Sequence, residues 1–156
     1  MSAMSIFLNR RQHPASGFSL LELMFVMVVL VILATIAAPN MYDMVLNSRV
    51  RAAASDLYGT LIIARSEAIK RNANVDIVPG TDWNGWQITV GGTTLKQQDA
   101  YPATVIFAGP AGTVTYRRDG RLDGTANVTF TLSVRDRPDL RTRTVSVDLS
   151  GRPNVK

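Results

Sequence analysis

The sequence predicts an α+β fold in which one long N-terminal helix, half membrane-spanning and half amphipathic, packs on an antiparallel β-sheet head. Three observations predict this class. An uncharged apolar run occupies residues 23–38, an apolar stripe with helical spacing follows it, and short alternating β-branched segments fill the C-terminal half. At 156 residues with 46% hydrophobic content, the chain has the size of one modest domain plus an accessory segment.

The first element is the apolar segment at residues 18–38, for which there are three interpretations. As a helix it would be about 31 Å long, close to the hydrocarbon thickness of a bilayer. A buried core helix would carry polar residues with a 3.6-residue period, which residues 23–38 lack. A secretory signal peptide would need a small-x-small cleavage site, and Pro39 directly follows the best match. We therefore predict a retained membrane-spanning helix.

The flanks of this segment predict its orientation. Arg10 and Arg11 precede it without an acidic residue, so the positive-inside rule keeps the N-terminal side cytoplasmic. The C-terminal bulk of a single-pass protein is then exported. The chain has no cysteine, which excludes disulfide bonds and thiolate metal sites. An exported domain with an adequate core remains compatible with that composition.

One acidic residue, Glu22, lies near the start of the apolar segment. A charged residue at the centre of a membrane helix costs about 2.5–3.5 kcal/mol on insertion, and less near the end, where the side chain reaches water. The position of Glu22 alone is compatible with two interpretations, an interfacial acid with no specific function or a functional residue. Its neighbours in the sequence favour the second interpretation.

Residues 17–22, GFSLLE, follow a short basic segment and open the apolar run, and this pattern resembles the processing site of type IV prepilins and type II secretion pseudopilins. The resemblance implies a pilin-like protein of the bacterial inner membrane, with a periplasmic head, that enters a pilus or pseudopilus. It implies that a prepilin peptidase removes a leader, residues 1–17, by cleavage after Gly17 and methylates the new N-terminal amine of Phe18.

The same resemblance implies a role for Glu22 in filament assembly. Glu22 would face the Phe18 amine of a neighbouring subunit, and other pilins or pseudopilins would be partners through the N-terminal helix. In a helix the carboxylate residue lies about 6 Å along the axis from Phe18. Pairing at low dielectric would stabilise both charges and set the axial step between subunits.

The helix is predicted to continue as an amphipathic segment over residues 39–72. Its apolar stripe recurs at intervals of three and four residues and comprises Val50, Ala54, Leu57, Leu61, Ala64 and Ala68. A basic last turn suits a helix end near Arg71. Pro39 removes a backbone donor and crowds the carbonyl of Thr35, so a kink is expected there. The alternative is a helix end with a short linker at Pro39-Asn40.

Residues 73–156 are predicted to form the antiparallel β head. Strands are predicted at residues 74–78, 86–90, 93–97, 104–107, 113–117, 128–134 and 144–149. Turn signals lie between them at Gly91-Gly92, Asp119-Gly120 and Asp123-Gly124. Each strand has one apolar face, so the strands would cover the core from one side.

A second resemblance covers the end of the helix and the head. Residues 61–72, LIIARSEAIKRN, residues 83–86, WNGW, and the late Gly151-Arg152 are similar to stretches of the FimT/FimU minor pilins and GspH-type minor pseudopilins. This implies a minor type IV pilin that assembles into or primes a pilus filament. The alternatives are a minor pseudopilin of type II secretion and a DNA-binding pilus subunit in natural transformation. The residues themselves favour packing roles for the alanine-rich turn and for both tryptophans.

The residue types argue against an enzyme. The one histidine, His13, precedes Gly17, so a processed chain would contain neither histidine nor cysteine. The sequence has no paired-carboxylate or G-x-S-x-G pattern. Asp119 and Asp123 fit turns better than a calcium site, because the ligand pattern of an EF-hand loop is absent. We predict no catalytic residue, no metal and no cofactor.

Basic residues concentrate near the C-terminus, where residues 117–156 hold nine Lys+Arg against five Asp+Glu. Such a patch can bind DNA phosphates with a steep salt dependence, and the FimT resemblance associates a C-terminal Gly-Arg motif with DNA uptake. Asn154 stands where that motif has its second arginine. The predicted contacts are Arg141, Arg143, Arg152 and Lys156, the last two on a flexible end beyond the final strand. The alternative is a solvated basic face partly neutralised by nearby aspartates.

Overall fold

The computed structural model describes residues 18–156, so Gly17 and the rest of the predicted leader lie outside the described residues. The chain forms two compact units, one ending at Pro39 and one spanning residues 40–156. One long helix, α1 (Leu20–Arg71), is followed by antiparallel sheets. This confirms the predicted α+β class.

The first part of α1 has the surface of a membrane helix. Among residues 18–156, α1 holds the one stretch that is long and apolar enough to span a bilayer. Its large apolar side chains are exposed from Leu20 to Ile36, and so is Phe18 just before the helix. A helix with this surface is favoured in lipid, where its backbone groups are satisfied internally. The bounds 18–38 stay a prediction. α1 includes Pro39, so the chain remains helical there and does not end in a linker.

Within residues 40–156, α1 is amphipathic, as the spacing of its apolar residues predicts. All six residues of the predicted stripe are buried, and they share one core with side chains from the strands. Leu46, Ala53 and Thr60 extend the buried face. Burial of side chains as large as Leu57 and Leu61 stabilises the fold by about 1.5–3 kcal/mol each.

The end of α1 confirms the predicted boundary near Arg71. Asn72 adopts a left-handed conformation, with φ of 50°. Its N–H donates to the carbonyl of Ile69, and the N–H of Ala73 donates to the carbonyl of Ala68. These two bonds form a Schellman motif, which satisfies carbonyls that the helix end would otherwise leave unpaired.

Eight strands follow α1 and form two antiparallel sheets of four strands. They are β1 (Val75–Pro79), β2 (Trp86–Val90), β3 (Thr93–Gln98), β4 (Val105–Ala108), β5 (Val114–Tyr116), β6 (Val128–Val134), β7 (Arg143–Val147) and β8 (Pro153–Val155). The first sheet has the order β3-β2-β1-β5 and the second has the order β4-β6-β7-β8. All seven predicted strands exist, with ends shifted by at most two residues.

The structure corrects the head in two respects. The antiparallel head comprises two sheets, a division that the sequence did not predict, because β5 pairs with β1 whereas β4 pairs with β6. The sequence also gave no sign of β8, which begins at Pro153. Proline is tolerated at the first residue of an edge strand, because the absent N–H is not needed there.

The C-terminus is therefore not a flexible end. Val155 pairs with Val145 in the register of β7 and β8. Lys156 and Thr144 then exchange two backbone hydrogen bonds, at 3.0 and 2.9 Å. The chain is tied into the second sheet up to its last residue in the printed sequence.

Candidate functional site

The start of α1 carries the predicted assembly residue, Glu22. Ser19 precedes the helix, and its hydroxyl oxygen accepts a hydrogen bond from the backbone N–H of Glu22 at 3.1 Å. Ser19 is thus the N-cap, and Ser19 with Glu22 three residues later is the sequence pattern of a capping box. Sequence reasoning missed this pattern, because the acid was weighed only against the membrane.

The capping box at this end is half formed, which leaves the carboxylate available. In a complete box the Glu22 side chain would accept the N–H of Ser19. Among residues 18–156, the structure gives the Glu22 carboxylate no hydrogen-bond or ionic partner. Its side chain and that of Phe18 are exposed. This arrangement is compatible with pairing to a neighbouring subunit.

The end of α1 and the Gly151-Arg152 segment meet at two glycines. We call this contact, formed by Arg65, Tyr116, Gly120 and Gly151, the glycine junction. The guanidinium Nε of Arg65 on α1 donates to the carbonyl of Gly120 at 3.1 Å. The buried Tyr116 hydroxyl donates to the carbonyl of Gly151 at 3.4 Å, and burial raises the pKa of this tyrosine above its ordinary value. Ala64 and Ala68 of the alanine-rich turn are buried in the core, which confirms the predicted packing role, and Arg65 between them contacts the turn at Gly120.

Gly151 is required by geometry. Its φ is +79°, and a Cβ built there would overlap the carbonyl oxygen of Gly120. Gly151 ends a turn that starts at Asp148. The Asp148 carboxylate stabilises this turn by accepting hydrogen bonds from the Ser150 hydroxyl at 2.6 Å and the backbone N–H of Arg152 at 3.0 Å. These bonds hold the pKa of Asp148 below its usual value. The glycine of the Gly-Arg motif thus has a structural role, separate from any ligand.

Replacing Gly151 with alanine should lower the free energy of unfolding by about 3 kcal/mol or more, because left-handed strain and a steric overlap add. Gly92→Ala is the matched control, since Gly92 has a similar φ of +83° but no atom within 4 Å of its built Cβ. It should cost only about 1 kcal/mol of backbone strain. Thermal unfolding of both full-length variants measures the difference. Equal losses would contradict the overlap.

Both tryptophans belong to the core, as the sequence predicts. The indole N–H of Trp86 donates to the Thr60 hydroxyl at 2.9 Å, and that of Trp83 donates to the Pro110 carbonyl at 2.8 Å. The ring of Trp83 packs edge-to-face on Phe130 with centroids 4.7 Å apart. Every polar atom of these indoles is satisfied internally, so neither ring offers a free binding group.

The four predicted DNA contacts fall into two groups. Arg141 and Arg143 line a cleft of about 420 Å³ whose other wall is α1. Arg152 and Lys156 line a separate depression of about 270 Å³ on the β6-β7-β8 surface. Arg141 precedes β7, and Arg143 is the first residue of that strand. The contact of these residues with DNA stays a prediction.

Arg137 is neutralised, although the sequence counts it in the basic cluster. Its guanidinium contacts both carboxylate oxygens of Asp43 on α1, at 2.8 and 2.9 Å. It also pairs with Asp139 at 3.0 Å. The hydrogen bond from Arg137 lowers the pKa of Asp139 below its ordinary value. Asp119 serves a turn as predicted, since its side chain accepts the N–H of Arg121.

Comparison with known families identifies both halves of the chain. The family model described as Type II transport protein GspH matches residues 53–151. The model described as the prokaryotic N-terminal methylation motif matches residues 13–38. No match is found among curated proteins.

Two solved structures show the same fold. The type IV minor pilin FimU of Pseudomonas aeruginosa PAO1 is 24% identical, with a TM-score of 0.62 over 70% of this chain and 89% of that one. The minor pseudopilin EpsH from the type 2 secretion system of Vibrio cholerae is 15% identical, with a TM-score of 0.55 over 69% of this chain and 96% of that one. At these identities the likeness concerns the fold.

Proposed function

Because the chain belongs to the GspH family, whose model covers residues 53–151, we propose that it is a minor type IV pilin of the FimT/FimU kind that assembles into or primes a pilus filament. The observation that carries this proposal is the order of the two matched segments. A methylation motif at residues 13–38 directly precedes a pilin-type head on one chain. Proteins of this family are structural subunits of filaments, and the proposed role is assembly rather than catalysis.

Processing and location follow from the methylation motif. A prepilin peptidase cleaves after Gly17, the amine of Phe18 is methylated, and other pilins are the assembly partners. Residues 18–38 hold the subunit in the inner membrane, residues 39–72 continue the helix, and the head at residues 73–156 lies in the periplasm. The exposed apolar surface of α1 supports membrane anchoring and later packing among other such helices.

A minor pseudopilin of type II secretion is the second candidate. The description of the matched family, a type II transport protein, favours it. Pilin and pseudopilin share the processing site, the helix and the head, so chemistry of the described residues does not separate them. The two differ in which filament receives the subunit.

Deletion of this chain from its host separates the two candidates. If the chain is a minor pilin, its deletion should remove most surface filaments, because filament initiation or the filament tip is lost. Export of secreted enzymes should continue. Filaments counted by electron microscopy and secreted proteins measured in the medium give the two readouts. A complementing copy should restore filaments and should itself be found in sheared filament preparations. Loss of secretion with normal filaments would instead indicate that the chain is a minor pseudopilin of type II secretion.

DNA binding in transformation is the weaker of the alternatives. The pair of Arg152 and Lys156 supports it, since both are exposed on one surface. Arg141 and Arg143 line a different depression, the cleft with α1. The four arginine and lysine residues are therefore divided between two depressions and do not form one site.

A further inference from the structure

The cleft that contains Arg141 and Arg143 gathers three arginines around one space. Arg51 of α1 faces it together with Asn47 and Ser48. Among residues 18–156, none of these three arginines lies within 4.0 Å of a carboxylate oxygen. Asp43 also lines the cleft, but Arg137 holds both of its oxygens. We call this space, lined by Met44, Asn47, Ser48, Arg51, Arg141 and Arg143, the arginine cleft.

The charge of the arginine cleft is unbalanced. Three arginines line one space of about 420 Å³ without an ionic partner, and like charges around one space repel one another. The cleft also holds a buried amide oxygen, Oδ1 of Asn47, with no hydrogen-bond donor among residues 18–156. Buried polar atoms are nearly always paired. The three unpaired arginines therefore favour an anionic ligand, whereas Oδ1 of Asn47 is an acceptor and can pair only with a donor such as a headgroup hydroxyl.

Apolar side chains stand exposed on the same stretch of α1. Met41, Tyr42 and Met44 are 68, 57 and 73% exposed, and Val45 is 46% exposed. Met44 itself lines the arginine cleft. Exposed methionine and tyrosine next to unpaired arginines form the combination that seats a protein surface at a lipid–water interface. In water alone, this exposure of apolar area is unfavourable.

Chain length keeps this region near the proposed membrane segment. Asp43 stands only five positions after Ala38 in the sequence. Even a fully extended chain spans no more than about 18 Å over that distance. The arginine cleft begins at the next residue, Met44, and this reach is comparable to the depth of the headgroup region and its adjoining charged layer.

We propose that the arginine cleft binds the phosphate of an anionic phospholipid headgroup while the exposed apolar side chains of residues 41–45 enter the interface. The proposal rests on the membrane insertion proposed above. The bound phosphate supplies one negative charge among the three arginines, which reduces their mutual repulsion, and holds the head at the membrane surface before the subunit joins a filament. On leaving the membrane, the subunit gives up this lipid, so binding strength sets how readily the head is released.

A lipid phosphate fits the cleft better than a nucleic-acid phosphate. The arginine cleft is a pocket between α1 and the segment entering β7, and its lining includes an apolar side chain, Met44. Duplex DNA presents a rod of phosphates that calls for a row of exposed cations. A headgroup presents one phosphate with acyl chains beside it, which matches three arginines with apolar residues alongside.

Native mass spectrometry of the full chain in neutral detergent tests the proposal. Short-chain phosphatidylglycerol and phosphatidylcholine are titrated separately, and the parent should retain phosphatidylglycerol preferentially. The variant R51Q/R141Q/R143Q should bind phosphatidylglycerol about a hundredfold more weakly, from about fivefold for each arginine near an anionic lipid. The matched control R117Q/R118Q/R121Q removes three exposed arginines elsewhere and should keep parental binding.

Competitors identify the source of the phosphate. Inorganic phosphate and duplex DNA should each displace phosphatidylglycerol only weakly. If either binds the parent more tightly than the lipid and loses that binding in R51Q/R141Q/R143Q, the lipid assignment is overturned. Equal retention of both lipids by the parent, or equal losses in the two triple variants, would also overturn it, because binding would then reflect net charge.

Membrane insertion is measured separately, so its failure is distinguishable. The parent and R51Q/R141Q/R143Q should both associate with phosphatidylcholine vesicles in a manner resistant to alkaline washing, since that depends on residues 18–38. Loss of this association in the parent would remove the proposed anchoring and the headgroup site with it. Alkali-resistant insertion without selectivity for phosphatidylglycerol would remove the headgroup site alone.

Discussion

Replacing Gly17 with leucine should leave the whole precursor in the membrane, with Arg10 and Arg11 still attached. Glycine at the proposed cleavage point has no side chain, so the backbone can approach the peptidase closely, and a branched side chain would block that approach. The intact mass of membrane-extracted chain distinguishes precursor from processed subunit. Processing of the parent should be essentially complete and that of Gly17→Leu essentially absent.

A control in the same leader separates this effect from changed insertion. Ser5→Leu adds comparable bulk twelve residues before Gly17 and should be processed normally. The N-terminus of the processed parent should be Phe18. A mature N-terminus at Pro39 or Asn40 would instead show that residues 18–38 are removed as a signal peptide, and the prepilin assignment would fail.

Glu22→Ala should leave membrane levels unchanged or raised while incorporation into filaments falls sharply. Removing the carboxylate eases insertion, since an acid in a membrane helix carries a cost that reaches about 2.5–3.5 kcal/mol at its centre. It also removes the proposed partner for the Phe18 amine of a neighbour, and an uncompensated charge at low dielectric is strongly unfavourable. Quantitative blotting of membranes and sheared filaments gives both readouts.

The half-formed capping box supplies the controls for that experiment. Ser19→Ala removes the bond to the backbone N–H of Glu22, at a cost of about 1 kcal/mol to the helix start, but keeps the carboxylate. It should assemble nearly as well as the parent. Glu22→Gln keeps size and hydrogen bonding without charge, and should fail as alanine does. Normal assembly of the glutamine variant would show that charge pairing is not the role of Glu22.

Much of the fold could be read from periodicity. The apolar stripe from Val50 to Ala68 predicted the buried face of α1, and alternation in residues 128–134 predicted β6 with its exact bounds. These patterns are local, because burial on one side imposes a period of 3.6 residues on a helix and 2 on a strand. The processing motif is also local, since a peptidase reads consecutive residues.

The capping box was present in the sequence but was overlooked. Ser19 and Glu22 have the spacing of a capping box, so the residues alone are sufficient to predict the N-cap. The Schellman ending at Asn72 was less visible, because asparagine replaces the commoner glycine there. Both features are decided within a few residues of chain.

What the sequence by itself determined was the order of elements, the membrane-type segment and the methylation motif, since each depends on neighbouring residues. Only the tertiary structure decided the division into two sheets, the pairing of β8, the glycine junction and the arginine cleft. Arg51 and Arg141 are ninety residues apart in the chain, and Gly120 and Gly151 meet across thirty-one. Such meetings depend on strand pairing and on packing around a shared core, and no local pattern records which distant residues will become neighbours.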